Sequence, residues 1–169
     1  MKFSIITPSY NMLPYLKLCH SSIMDQNHSN YEHIIIDGNS TDGTKNWLNE
    51  KKLKHKCETD AGMYDAINKG MAMATGEIIS YLNCDEQYLP RTLVTVENYF
   101  IDNPDVDIVF GHALITNPDG SLISYRKGYQ PRKYYIMVSH LYVLSCTMFF
   151  RRSIMDQGYL FNTNYKDIG

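Results

Sequence analysis

The sequence predicts an α/β domain built on a mostly parallel central sheet flanked by helices, with a small antiparallel hairpin. Short β-branched runs alternate with helical patterns along the chain, and the early runs end in polar clusters instead of two-residue turns. Strand, helix, strand, helix in that order makes right-handed crossovers the default connection. Length agrees, since 169 residues make one domain at the usual prior of about 150 residues per domain. A folded chain of this mass buries roughly 70% of its extended surface, enough for a real core.

The first strand is "FSIITP", residues 3–8, ending at a proline as a buried strand does at a sheet edge. Asn11 is placed to cap the next helix, with Pro14 in its first turn and Leu13, Leu16, Leu18, Ile23 and Met24 forming most of an apolar face. "YEHIIID", residues 31–37, is a second buried strand, followed by a loop in which Ser40 or Thr41 caps a second helix. A short strand near residues 56–58 precedes a helix whose stripe is Met63, Ala66, Ile67, Met71 and Ala74, with Gly76 as its stop. "EIISYL", residues 77–82, is the next strand, and Pro90 opens a helix toward Phe100. "DVDIVFG" returns as strand, and "ALITNPDGSLISY" reads as a hairpin around Pro118, Asp119 and Gly120. A helix over residues 132–137 and a strand over 143–150 complete the pattern.

Composition excludes several classes. Hydrophobic residues at 44% and charged residues at 20% are ordinary for a globular chain and argue against disorder and coiled coil. Apolar runs such as "LYVLSCTMFF" fall well short of the roughly 18 residues of a transmembrane helix, and no signal peptide opens the chain. A net charge of -2 leaves no global field for nucleic acid. Cys19, Cys57, Cys84 and Cys146 are far apart without metal-like spacing, the pattern of free thiols in a reducing cytoplasm. The 14 tyrosines suit sugar or base stacking, and equally well half-buried packing.

Ligands of open α/β sheets lie beyond the carboxyl ends of the strands. Three strand ends carry polar clusters there, at residues 7–11, 37–42 and 83–86, and their coincidence points to a shared pocket. A fourth cluster, "ETDAGMYDAINKG", admits two readings: a capped helix steadied by an Asp65–Lys69 pair, or Asp60 bonding a base or ribose with Lys69 facing a phosphate. The first strand is followed by "TPSYN", with no GxGxxG and no GxxxxGKS, which counts against both a dinucleotide-binding dehydrogenase and a P-loop NTPase. A nucleotide site here is built from side chains. Its diphosphate needs a counter-charge, and Asp85 is placed to supply one through a divalent metal, Mn or Mg, since these ions bind through one or two carboxylates plus phosphates and water.

At these residues the sequence resembles the family 2 glycosyltransferases of GT-A fold, a Rossmann-like architecture, especially bacterial enzymes of capsule and cell-envelope polysaccharide assembly. The resemblance runs in order through "FSIITPSYN", "IIIDGNSTDGT", "ETDAGMYDAINKGMAMATGEIISYLNCDEQYLP" and "CTMFFRRSIMDQGYLF". It implies that Thr7, Pro8 and Tyr10 lie against a uridine, that Asp37 and Asp60 hydrogen-bond the base from two sides, and that Lys69 faces the diphosphate. The family's DxD motif falls on Asn83, Cys84 and Asp85. Asp85 then inherits the metal, Asn83 offers a neutral hydrogen bond, and Cys84 reads as packing.

The implied reaction is inverting transfer of a sugar from a UDP-sugar to a hydroxyl of a saccharide or lipid-linked acceptor. The setting is the cytoplasm, at the inner face of the membrane, with peripheral membrane contact and no nucleic acid partner. Residues 1–89 form the nucleotide-binding part and 90–169 the acceptor side, where His140 either orients an acceptor or serves the fold. The family's catalytic base follows the "GYLF" stretch. Asp167 is the one acid left there, and family spacing puts the base beyond Gly169, so the expectation is a chain cut close to its base. The alternative is a nucleotide-sugar-binding module without turnover. A nucleotidyltransferase would want a Gly-rich basic loop where "TPSYN" stands.

Overall fold

The computed structural model of the chain describes residues 1–130 and 144–164. Six strands form one sheet: β1 (Phe3–Ser9), β2 (Tyr31–Asp37), β3 (Lys54–Cys57), β4 (Ile78–Tyr81), β5 (Ile108–Phe110) and β8 (Met148–Arg151). Their order is β3-β2-β1-β4-β8-β5. The pairs β3/β2, β2/β1 and β1/β4 are parallel, and β8 runs antiparallel to both its neighbours. The hairpin is β6 (Ala113–Thr116) with β7 (Leu122–Arg126), closed at Gly120, whose φ of 84° is the left-handed conformation its turn requires.

Helices α1 (Leu13–Met24), α2 (Thr44–Glu50), α3 (Met63–Met73) and α4 (Thr92–Asp102) flank the sheet, and a short α5 (Ser153–Asp156) follows β8. Alternation along the strands divides the core. Phe3 and Ile5 face Cys19 and Ile23 of α1 and Leu93 and Phe100 of α4. Ile6, Ile34 and Ile36 face Ala66, Ile67 and Met71 of α3. Ile35 packs with Leu16, Leu48 and Cys84, so Cys84 is a core residue. At the sheet edge, Lys54 and Lys56 of β3 are exposed, which discourages pairing with another chain.

Two glycines set how closely the layers approach. A Cβ on Gly70 would overlap Ile6 Cγ2 and stand 3.3 Å from Ile36 Cγ1, so α3 rests its backbone directly on β1 and β2. A Cβ on Gly76 would be 2.7 Å from Ser4 N and 2.8 Å from Lys2 O. Arg151 and Arg152 fasten the far ends of two helices. Arg151 donates to the carbonyls of Val106 and Phe100, and Arg152 donates to that of Ala74.

Helix starts differ from the sequence reading. Asn11 has φ 52° and lies outside α1, which begins after Met12. Neither Ser40 nor Thr41 caps α2, which starts behind Gly43 at φ 95°. One carboxylate serves both helices instead: Asp42 accepts from the Leu13 N–H at 2.8 Å and from the Thr44 N–H at 3.1 Å. α4 begins at Thr92, after Arg91 in the left-handed region, and β3 covers 54–57 instead of 56–58. Within 143–150, Ser145–Thr147 is a 3-10 turn and the strand begins at Met148. The helix expected over 132–137 lies outside the described residues, as do Val143, His140 and Asp167.

Candidate functional site

Parallel pairing brings the carboxyl ends of β1, β2 and β3 level, with Ser9 beside Asp37 and Asp37 beside Cys57. β4 ends beside Ile6, and its continuation donates from the Leu82 N–H to the Ile6 carbonyl. The four polar clusters therefore emerge on one edge. Loops of the first two are cross-linked: the Asn11 N–H donates to Ser40 Oγ at 2.8 Å, and the Thr41 N–H donates to Asn11 Oδ1 at 2.8 Å.

Asp37 is fully buried. Its two oxygens accept from Ser40 Oγ at 2.5 Å and from the Ser40 N–H at 2.9 Å, so the carboxylate fastens the loop after β2. Tyr10 is 63% exposed and lies across the opening of that loop. Gly38 marks where the first two loops meet the third. A Cβ there would stand 3.2 Å from Tyr10 Cδ2 and 3.1 Å from Asp60 Oδ2. The absent side chain leaves a floor between an exposed aromatic ring and a carboxylate oxygen. The other oxygen of Asp60 accepts from the Gly62 N–H at 3.0 Å, which fixes the carboxylate's direction.

Thr7 and Pro8 are buried in β1. The Thr7 hydroxyl is turned toward α1, 2.9 Å from His33 Nε2 and 3.8 Å from Cys19 Sγ. Lys69 stands in the fourth cluster, where its ammonium donates to Asp65 at 2.9 Å, Glu58 at 3.0 Å and the Thr59 carbonyl at 3.2 Å. These bonds, Asp65's above all, raise its pKa. Lys69 thus ties α3 to the 58–60 loop.

After β4, the turn 83–86 closes on itself, with the Asn83 N–H donating to Glu86 Oε2 at 2.8 Å. Burial pushes the Glu86 carboxyl above its ordinary range, which that hydrogen bond only partly offsets and the charge of Asp85 reinforces. Beside it the Cys146 thiol is pushed up to about 12 by burial and then by the Glu86 carboxylate. Asp85 is exposed. Asn83 Oδ1 is buried and, among the described residues, has no hydrogen-bond partner. No group of three or more His, Cys, Asp or Glu residues among the described residues is arranged to hold a metal alone. One exposed carboxylate beside an unengaged amide oxygen suits a hard divalent cation that takes its remaining ligands from phosphate and water.

The structure thus brings Tyr10, Asp37, Asp60, Asn83 and Asp85 to one edge, with Lys69 behind it. Sequence reasoning places Gly38, Asp42 and Glu86 in the clusters without giving them roles of their own, and misses the histidines behind Thr7. Gly38 carries a readable signal, a glycine directly after a strand-ending aspartate. The histidine contacts need the β1/β2 register and have none.

Comparison with known proteins agrees with this arrangement. The chain is 34% identical over 121 residues to a PGL/p-HBAD biosynthesis glycosyltransferase of Mycobacterium tuberculosis, covering 67% of this chain and 47% of that protein. It spans less than half the length of that relative. The fold is that of Staphylococcus aureus TarS, with a TM-score of 0.75 at 23% identity over 98% of this chain and 31% of the other. It is also that of the mannosyltransferase PcManGT from Pyrobaculum calidifontis, solved with GDP-Man and Mn2+, with a TM-score of 0.71 at 21% identity over 99% of this chain and 48% of the other. TarS has in addition been solved with UDP-GlcNAc. The glycosyl transferase family 2 model matches residues 4–158, nearly the whole span from β1 to the end of α5, and the chain belongs to that family.

Proposed function

We propose that this chain is the donor-binding part of an inverting glycosyltransferase that moves a sugar from a UDP-sugar to a hydroxyl of a saccharide or lipid-linked acceptor in cell-surface polysaccharide assembly. The observation that carries the reading is the floor at Gly38, framed by the Tyr10 ring and Asp60 Oδ2. A flat base stacks on such a ring, and a uracil N–H donates to such a carboxylate. Structures of TarS with UDP-GlcNAc and of PcManGT with GDP-Man support a nucleotide-sugar donor.

The diphosphate lies toward the 83–86 turn. Asp85 and the Asn83 amide oxygen would hold a divalent metal there, Mn or Mg, which when bound would offset the charge that grows on the departing diphosphate. Asp37 contributes through the loop it fastens. Thr7 and Pro8 shape the strand end from within. Lys69 acts through the 58–60 loop and reaches the diphosphate by exchanging its carboxylate partners.

In the transfer, the acceptor oxygen bonds to the anomeric carbon as the bond to the diphosphate breaks, and the acceptor proton passes to a carboxylate base, for which Asp167 is the candidate within this chain. The nucleoside arm is tested by titrating uridine and UDP calorimetrically into wild type and Asp60→Ala. Loss of the carboxylate should weaken both ligands about 10- to 100-fold, the cost of one charge-assisted hydrogen bond. Equal affinities would remove Asp60 from the site.

A further inference from the structure

The third helix carries two adjacent stripes with different work. Asp65 and Lys69 face the 58–61 loop, where Asp65 accepts from the Ala61 N–H at 2.9 Å and Lys69 holds Glu58 and Thr59. Tyr64 and Asn68, one position back on the same turns, face Phe161, which lies 93 residues beyond Asn68 in sequence. Asn68 Nδ2 donates to the Phe161 carbonyl at 2.8 Å, and the Phe161 N–H donates to Asn68 Oδ1 at 3.0 Å. One amide therefore satisfies both backbone groups of one residue, as a neighbouring strand would. The Phe161 ring lies parallel to Tyr64, with centroids 5.4 Å apart, and edge-on to Tyr81, also at 5.4 Å. Tyr81 is the last residue of β4, immediately before the turn that carries Asn83 and Asp85.

We infer that Asn68 is a positioning residue for the acceptor side of the site. Its paired hydrogen bonds, with the aromatic slot of Tyr64 and Tyr81, seat residues 159–164 at the carboxyl edge beside the donor turn. They do so without contributing to nucleotide affinity. A purely structural staple would hold the fold as a whole. This clamp instead joins a segment that, among the described residues after α5, has no helix or strand of its own to the helix that also holds the 58–61 loop. Chain following residue 161 starts from a point fixed relative to Asp85.

The inference rests on the reading of this edge as a donor site, and the test separates the two. Amide hydrogen exchange over residues 159–164, calorimetry with UDP and Mn2+, and UDP release from a UDP-sugar with and without added saccharide are compared for wild type, Asn68→Ala and Asn68→Asp. The aspartate keeps the acceptor for the Phe161 N–H and loses the donor to its carbonyl, so it serves if the alanine variant folds poorly. The expected result is exchange at least tenfold faster over 159–164 in Asn68→Ala and intermediate in Asn68→Asp. UDP affinity should stay within twofold, and UDP release should slow in kcat with the donor KM unchanged. Unchanged exchange overturns the clamp. A tenfold loss of UDP affinity alongside faster exchange overturns the separation from the donor site, and so does a rise in donor KM. If wild type binds no UDP, the donor reading fails, while the exchange comparison still decides whether the clamp exists.

Discussion

Behind Thr7, at the end of β1, two histidines share a proton. His33 Nε2 is 2.9 Å from the Thr7 hydroxyl, and His33 Nδ1 is 2.9 Å from His20 Nδ1. Facing Nδ1 atoms bond only if one carries hydrogen and the other does not, so the pair tolerates one added proton at most. Burial, and then the neighbouring His20, holds His33 down to about 3, while burial and then Lys51 lower His20. Trp47 of α2 packs its edge on His20, and Cys19 of α1 lies on the far side of Thr7. In the unfolded chain these imidazoles take up protons near their ordinary value of 6.5, before the folded chain can. The contribution of His33 to stability is therefore complete above about pH 6.5 and is lost as pH falls toward 3, at up to about 1.4 kcal/mol per pH unit, and that of His20 falls in the same direction. Glu32, held at about 2 by hydrogen bonds from Lys54, Ser4 and Thr75 that outweigh its burial, loses its share only below about pH 4.5. Denaturant titrations at pH 7.0, 5.5 and 4.5 should thus show stability falling in wild type and a flatter profile in His33→Gln. Parallel profiles would remove the histidine pair as the cause. The residues that anchor this edge were unequally legible in the sequence. Asp37 ends a buried strand, Asp85 follows one and Asp60 stands in a polar cluster, whereas His33 acts only through the register that pairs it with Ile5 and so brings its ring to the Thr7 hydroxyl two residues on.

At the scale of elements, α3 pays for its position with a glycine. In a free helix Gly70 costs roughly 1 kcal/mol relative to alanine. Here a Cβ would drive into Ile6 and crowd Ile36, so the close approach decides the sign. Gly70→Ala should lower unfolding free energy by about 1–3 kcal/mol, the usual cost of overpacking, as read by denaturant titration. A stabilised variant would contradict the direct seating of α3 on β1 and β2. Periodicity located α3 correctly because its apolar stripe is local. The starts of α1 and α2 were misread because their capping carboxylate, Asp42, reaches both helices across a loop junction that exists only after β1 and β2 pair. The Asn68 clamp is illegible for the same reason, although Asn68 lies in the polar cluster "ETDAGMYDAINKG".

For the molecule as a whole, the parallel half of the sheet follows from alternating strands and helices, and with it the edge where the polar clusters gather. The insertion of β8 antiparallel between β4 and β5 did not, because its pairing depends on a chain return from beyond the hairpin. Among the described residues no helix is long and apolar enough to cross a membrane. With a net charge of only -2, the proposed diphosphate donor needs a local counter-charge, and in the proposed site that charge would come from a divalent cation on exposed Asp85. Calorimetry of UDP with wild type and Asp85→Ala, each with and without Mn2+, tests this most directly. Mn2+ should strengthen UDP binding at least tenfold in wild type and leave it unchanged in Asp85→Ala, with metal-free affinity equal in the two proteins. The same Mn2+ enhancement in both proteins would contradict it.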